Sequence, residues 1–374
     1  MLDFMEADRA RLSDLETQIL DLERSLSALR TERARVRERL NDYKYPVLTL
    51  PNEVTSEIFM CFIPAYPVAP PLIGIDSPTT LTHVCRQWRN VALATPMLWS
   101  AIEFDDDVYE RTVLRCILAD WIKRSRSCRL SISVYIDDDE FLKEMLGDPS
   151  TVRWEHLQLK GWVNSPFEID SPLPMLHSLD FELYGVSTHG LIFHDAPPHL
   201  RTAVLYGRGI PAGLPWVQLT CLTLAVVPTD ECVVILAQTL NLVRCVVSLD
   251  GEPELDGLTP GKVDLPFLES LVLRDNAETY QTATEEFLDL FVVPALSTLD
   301  VDEIFLREDL IARLQSLISR SGCRLQEVCI RGRLATTVGS RFRQAFPSIP
   351  TFSFPVAYEG KSDEDEYEGE NDSD

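Results

Sequence analysis

The sequence predicts an α/β chain with an all-α N-terminal part: a coiled-coil helix, a small helical bundle, then an irregular solenoid of strand-bearing repeats. Three observations carry this. A heptad stripe occupies the first forty positions, two short helical stretches flank a proline-rich insertion, and one apolar frame recurs eight times after residue 150. The expected boundaries are 1–45 for the coiled-coil helix, 46–100 for the bundle, 101–355 for the solenoid and 356–374 for an acidic tail.

The stripe comes first along the chain. Leu12, Leu15, Ile19, Leu22, Leu26, Leu29, Arg33, Val36 and Leu40 step alternately by three and four, so eight of nine a/d positions are apolar. With Leu12 at a, Arg11 and Glu16, then Glu32 and Arg37, fall at g and following e positions, where opposite charges meet across a parallel pair. A homodimer through residues 12–40 is one reading; a helix folded back on its own domain is the other. The run "RTERARVRER" reads as a solvated helix face rather than a targeting patch.

Pro46 ends that helix. In "LTLPNEVTSEIFMCF", Thr49 is a candidate cap, Pro51 suits a first turn, and Val54, Ile58 and Phe59 share one helical face. "IPAYPVAPPLIGIDSP" holds five prolines from Ile63 to Pro78 and must be a loop. "LTHVCRQWRNVALATPMLWS" resumes helical spacing, with Leu81, Val84, Cys85 and Trp88 on one stripe, His83 off it, and Pro96 as the stop. Trp99 is expected at the seam with the first strand.

From 98 to 136 the pattern reads strand, helix, strand: "LWSAIEF", "ERTVLRCILADWIKRS" and "CRLSISVYI". Then the frame begins. It reads Trp154, Leu157, Leu159; Leu176, Leu179, Phe181; Leu200, Ala203, Leu205; Leu219, Leu222, Leu224; Leu242, Cys245, Val247; Leu268, Leu271, Leu273; Leu296, Leu299, Val301; and Leu325, Val328, Ile330. Successive starts lie 22, 24, 19, 23, 26, 28 and 29 residues apart, close to the leucine-rich-repeat period. Each unit supplies one strand of a parallel sheet with a helical or irregular return, and none buries its face alone. Only "LESLVLRDN" carries the asparagine of the regular repeat, so an irregular arc is expected. "RSRSCRLSISV" echoes "SRSGCRLQEVCI", which makes the strand near residue 130 the candidate first rung.

Composition restricts the function classes. A formal net charge of −25 argues against non-specific nucleic-acid binding, which needs clustered Lys and Arg. Eight acids lie in "SDEDEYEGENDSD", a tail expected to be disordered and solubilising, with Ser362 as a candidate acidophilic-kinase site. Nine cysteines without a C-x-x-C pair, and no signal-peptide pattern, predict free thiols in a cytoplasmic and/or nuclear setting. No apolar run approaches the ~18 residues of a membrane span.

No catalytic or metal constellation is expected, nor a cofactor. His189, His194, Asp195 and His199 fall in and around a proline-rich loop without ligand spacing. "YGRGIPAG" matches neither phosphate-loop fingerprint. His83 and Cys85 are two apart on a predicted helix and point to different faces. "DDD" at 105–107 and 137–139 reads as turn solvation after strands.

Together, "LPNEVTSEIFMCF" and "LTHVCRQWRNVALATPMLW" resemble the F-box domain: its Leu-Pro opening, Ile-Phe helix, Val-Cys-(x-x)-Trp helix and final Leu-Trp. The proline-rich insertion and "DWIKRSRSCRLSISV" resemble the large F-box family expanded in mushroom-forming fungi. The resemblance implies a non-catalytic substrate-recognition subunit of an SCF-type cullin-RING ubiquitin ligase that docks on the Skp adaptor. It implies adaptor contacts at Leu50, Pro51, Val54, Ile58, Phe59, Leu81, Val84, Cys85 and Trp88, some of which must instead form the bundle core. An unknown protein substrate would meet the concave row beside the core leucines: His156, Lys160, Asp180, Glu182, Tyr206, Arg274, Asp300, Asp302 and Arg331. The alternative is an interaction scaffold with no ligase role.

Overall fold

A computed structural model describes residues 2–42, 46–104, 111–136, 143, 145–162, 167–184, 191–207, 211–250, 262–275, 287–306 and 309–355. The expectations for the two "DDD" runs, residues 208–210 of the glycine-rich turn, His189, the repeat asparagine Asn276 and the acidic tail lie outside them.

The architecture is mixed: a helical N-terminal part leads into a large parallel sheet. Helix α1 spans Leu2–Asp42, α2 Asn52–Met60, α3 Pro78–Val84 and α4 Arg86–Ala94. Strand β1 (Ala101–Phe104), helix α5 (Arg111–Arg124) and strand β2 (Leu130–Ile136) follow, as the sequence pattern predicts. Next come β3 (Trp154–Trp162), β4 (Phe167–Ile169), β5 (Ser178–Tyr184), β6 (Leu191–Phe193), β7 (Thr202–Tyr206), β8 (Cys221–Pro228) and α6 (Thr229–Leu236). The described chain closes with β9 (Arg244–Asp250), β10 (Val263–Asp264), β11 (Ser270–Asp275), β12 (Phe291–Val292), β13 (Thr298–Asp302), α7 (Leu310–Ser321), β14 (Glu327–Arg331), α8 (Arg333–Ala345) and β15 (Thr351–Ser353).

Eleven strands form one sheet in the order β1-β2-β3-β5-β7-β8-β9-β11-β13-β14-β15, every pair parallel and every step forward along the chain. The pairs β4–β6 and β10–β12 make two small parallel sheets among the returning segments. All three positions of all eight frames are buried. Their central residues stand in register: Leu157, Leu179, Ala203, Leu222, Cys245, Leu271, Leu299 and Val328 are successive Cα partners. A fully buried leucine contributes roughly 2 kcal/mol through the apolar area it removes from water, so this row is the main cohesive element between neighbouring strands.

The row extends past both ends of the sequence frame. Ile132 and Ile102 continue it before Leu157, so the first rung is β1 rather than β2; Phe352 of β15 continues it after Val328. The stretch "LWSAIEF" predicts β1 as a strand but not as a rung of the sheet, and the three residues of β15 are too few to show a periodicity. Both edges are short and covered, the usual protection against edge-to-edge pairing. Trp121 of α5 packs on Trp99 at the β1 end, and Phe342 of α8 meets Phe352 and Phe354 at the β15 end.

Two helical expectations are corrected. Residues 78–94 do not form one helix: Cys85 is extended (φ −157°, ψ 171°), closing α3 and opening α4. Its Sγ accepts the Trp88 N–H at 3.4 Å, as an N-cap side chain does, so the break caps the second helix. Thr49 does not cap α2; its hydroxyl donates to the Pro46 carbonyl at 2.7 Å within a short 3-10 turn, and Pro51 itself occupies the cap position.

Candidate functional site

Helices α2, α3 and α4 make a small unit whose inside and outside follow from spacing. On α2, Thr55 and Phe59 are four apart and buried, while Val54 and Ile58 are also four apart and remain 44% and 48% exposed. The expected single face of Val54, Ile58 and Phe59 is therefore two faces. Phe59 meets Trp88 edge-on at 5.0 Å, and Leu81 is buried beside them in the core. Because the chain breaks at Cys85, Leu81 points in while Val84 stays 57% exposed, so Leu81, Val84, Cys85 and Trp88 do not share a stripe. Of the nine positions marked for adaptor contact, Phe59 and Leu81 are core, Leu50, Cys85 and Trp88 are half-buried, and Pro51, Val54, Ile58 and Val84 are exposed. Arg89 Nε donates to the Thr82 carbonyl at 2.8 Å across the break, and Gln87 Nε2 to that of Leu48 at 3.2 Å.

This unit is fused to the sheet at one tryptophan. Trp99 is wholly buried; its Nε1 donates to the Ala92 carbonyl of α4 at 3.0 Å, and its ring stands at 88° to that of Trp121, 5.2 Å away. The Arg124 guanidinium lies 4.7 Å from the same ring.

The sheet's other face is half-exposed, polar towards both ends and valine-rich in the middle. One row across it runs Glu103, Ser133, Gln158, Asp180, Val204, Thr223, Val246, Val272, Asp300, Cys329 and Ser353. Its start is a hydrogen-bond relay: Ser133 Oγ donates to Gln158 Oε1 at 2.7 Å, and Gln158 Nε2 donates to Asp180 Oδ2 at 2.5 Å. Burial raises the Asp180 pKa above the usual carboxylate range, and the Gln158 bond opposes this. Lys160 and Glu182 pair at 3.7 Å, and Tyr206 sits half-buried on the next strand.

The proline-rich insertion covers this start of the face, an arrangement without sequence signal apart from Tyr66, the single aromatic residue of that loop. Tyr66 OH donates to Glu155 Oε2 at 2.9 Å, Arg129 pairs with Glu155 Oε1, and the Tyr66 ring meets His156 edge-on at 5.4 Å. Ser131 Oγ donates to the Pro67 carbonyl at 2.7 Å. Burial, then the Glu155 bond, pushes the Tyr66 phenol well up. Burial alone would raise Glu155, but hydrogen bonds from Arg129 and Tyr66 hold it low; burial lowers His156, against the opposing pull of Glu155. Between loop and strands lies a cleft of about 270 Å³.

At the far end the marked residues bind each other. Asp300 accepts Arg274 NH1 at 3.1 Å and NH2 at 2.6 Å, and Arg331 Nε at 3.1 Å and NH2 at 2.9 Å. Despite partial burial, those bonds hold its carboxyl down at about 2. Asp302 accepts the Asp275 N–H at 2.9 Å and lies 3.7 Å from Arg274. These four side chains have less freedom to meet a partner than their exposure in sequence suggests.

The remaining candidates disperse. Among the described residues His194 does not cluster with Asp195 and His199; its Nε2 lies 3.2 Å from Glu168 and 3.3 Å from Asp170, an exposed trio beside the β4–β6 pair. All nine cysteines are free, and burial pushes the Cys245 thiol up to about 12, which suits packing rather than nucleophilic chemistry. Among the described residues no helix is long and apolar enough to cross a membrane. No protein-family model matches the chain, and no curated protein is similar to it.

Proposed function

We propose that the chain is a non-catalytic substrate-recognition subunit of an SCF-type cullin-RING ubiquitin ligase. In this reading the unit of α2, α3 and α4 is an F-box that docks on the Skp adaptor, and the sheet is an irregular leucine-rich-repeat solenoid that captures a protein substrate in the cytoplasm or nucleus. One observation carries it most: an exposed apolar set, Pro51, Val54, Ile58 and Val84, is displayed on a helical unit whose Trp99 locks into the sheet. Exposed apolar groups on a rigid support are what a docking surface needs, and rigid attachment holds captured substrate at a fixed place relative to the adaptor. The strand order running strictly forward along the chain supports the solenoid reading.

The test is binding of purified Skp adaptor at micromolar concentration, compared with Val54→Asp/Ile58→Asp. Both side chains are about half exposed, so the double variant should melt like the parent while losing adaptor binding at least tenfold. Absence of binding by the parent chain ends the ligase reading.

A scaffold without ligase role is the second reading, and it shares the α1 stripe with the first. The eight apolar a/d residues of α1 are 38–69% exposed, so their stripe is open to a second copy of the chain. Dimerisation is compatible with both readings; adaptor binding separates them.

A further inference from the structure

We infer that the cleft between the proline-rich loop and strands β1, β2, β3 and β5 takes a cationic side chain, lysine or arginine, from the protein that this face captures. This rests on the capture surface of the proposed receptor and is independent of adaptor docking.

The inference starts from the charges. At this end of the face Lys160 is matched by Glu182 and Arg129 by Glu155, while burial disfavours the charged form of His156. Two carboxylates of the lining, Glu103 and Asp180, have no cation within ion-pair distance among the described residues, Lys160 acting on Asp180 only from longer range. Asp180 is the terminus of the relay from Ser133 through Gln158, and that relay occupies Oδ2 alone. Oδ1 is left with no hydrogen-bond donor among the described residues, on a carboxylate already fixed in position by its neighbour. A donor bearing positive charge is the complement that such an oxygen binds best.

Shape agrees with charge. Pro67, Val68 and Ala69 form the apolar wall opposite the polar strands, so the opening offers hydrocarbon on one side and carboxylate on the other. Lysine and arginine present that combination, a methylene stem carrying a charged head. The wall is held by the Tyr66–Glu155 and Ser131–Pro67 bonds and by the Tyr66–His156 ring contact, so the cleft exists before a ligand arrives and little ordering remains to be done. About 270 Å³ accommodates one side chain rather than a folded element, which makes the cleft a specificity pocket within a wider surface.

The test uses the full chain without adaptor and four capped tripeptides, acetyl-Gly-X-Gly-amide with X as arginine, lysine, citrulline or glutamate, followed by saturation-transfer NMR. The arginine or lysine peptide should bind in the millimolar range, at least tenfold more tightly than citrulline and glutamate. Asp180→Asn should weaken it about tenfold. Val68→Lys alters a side chain that is 61% exposed, so it should fold normally while placing a competing cation at the cleft and abolishing peptide binding. Equal binding of the glutamate peptide, or undiminished binding by a folded Val68→Lys chain, overturns the assignment. Adaptor binding measured on the same preparations reports separately on the ligase reading.

Discussion

Replacing Asp300 by asparagine keeps the side chain's size and removes its charge from between two guanidinium groups. In the folded chain this carboxyl titrates at about 2, against about 3.9 for an ordinary aspartate, and the difference of nearly two units corresponds to about 2.6 kcal/mol. Asp300 is partly buried and Arg331 is 37% exposed, and Asp302 remains near Arg274, so screening and compensation reduce the expected loss to about 2 kcal/mol. The sign follows from the depressed value. Stability from this group is fully present well above pH ~4, the unfolded value, and is lost as pH falls through ~2, so about half of the gap should remain at pH ~3. Urea unfolding of both proteins at pH 7 and pH 3 measures it. Equal stability at pH 7, or the same gap at both pH values, would refute the view that the Arg274–Asp300–Arg331 cluster is an internal brace. The same variant should bind the arginine tripeptide as the parent does, since the brace lies strands away from the cleft.

Two further outcomes concern the helices. Trp99→Ala should lower stability by about 3–5 kcal/mol, because it opens a cavity against Trp121 and removes the indole bond to the Ala92 carbonyl; a loss under ~1 kcal/mol in denaturant unfolding would mean that the seam does not couple helices to sheet. Light scattering should give twice the chain mass for the parent and the chain mass for Leu22→Asp/Leu26→Asp, whose positions are exposed in the single chain and so leave its melting unchanged. A parent monomer at tens of micromolar would reject pairing through α1.

The frame of three apolar positions is legible without coordinates because parallel strands stacked in order repeat one local demand: alternate residues buried, at a spacing set by each return. That demand is written in leucines such as Leu222 and Leu271, whose register across the sheet follows from it. The long heptad helix is legible for the same reason, since periodicity is a property of neighbours in sequence. The edge strand β15 carries too few residues to express a period, and only the pairing of Val328 with Phe352 reveals it, while the pairing of Ile102 with Ile132 makes the predicted strand β1 the first rung.

The candidate site divides differently. Sequence alone determined which residues line the half-exposed face, because side chains alternate on a strand; it did not determine which of them are already occupied. That needed the tertiary structure, where Arg274 and Arg331 converge on Asp300 from neighbouring strands, and where a loop from residues 63–78 folds back over strands more than fifty positions later. In the helical unit, likewise, spacing determined that Leu81, Val84, Cys85 and Trp88 fit one helix. Only packing decided that the chain breaks at Cys85, because the Sγ cap on the Trp88 amide and the Phe59–Trp88 contact together set the second helix apart from the first.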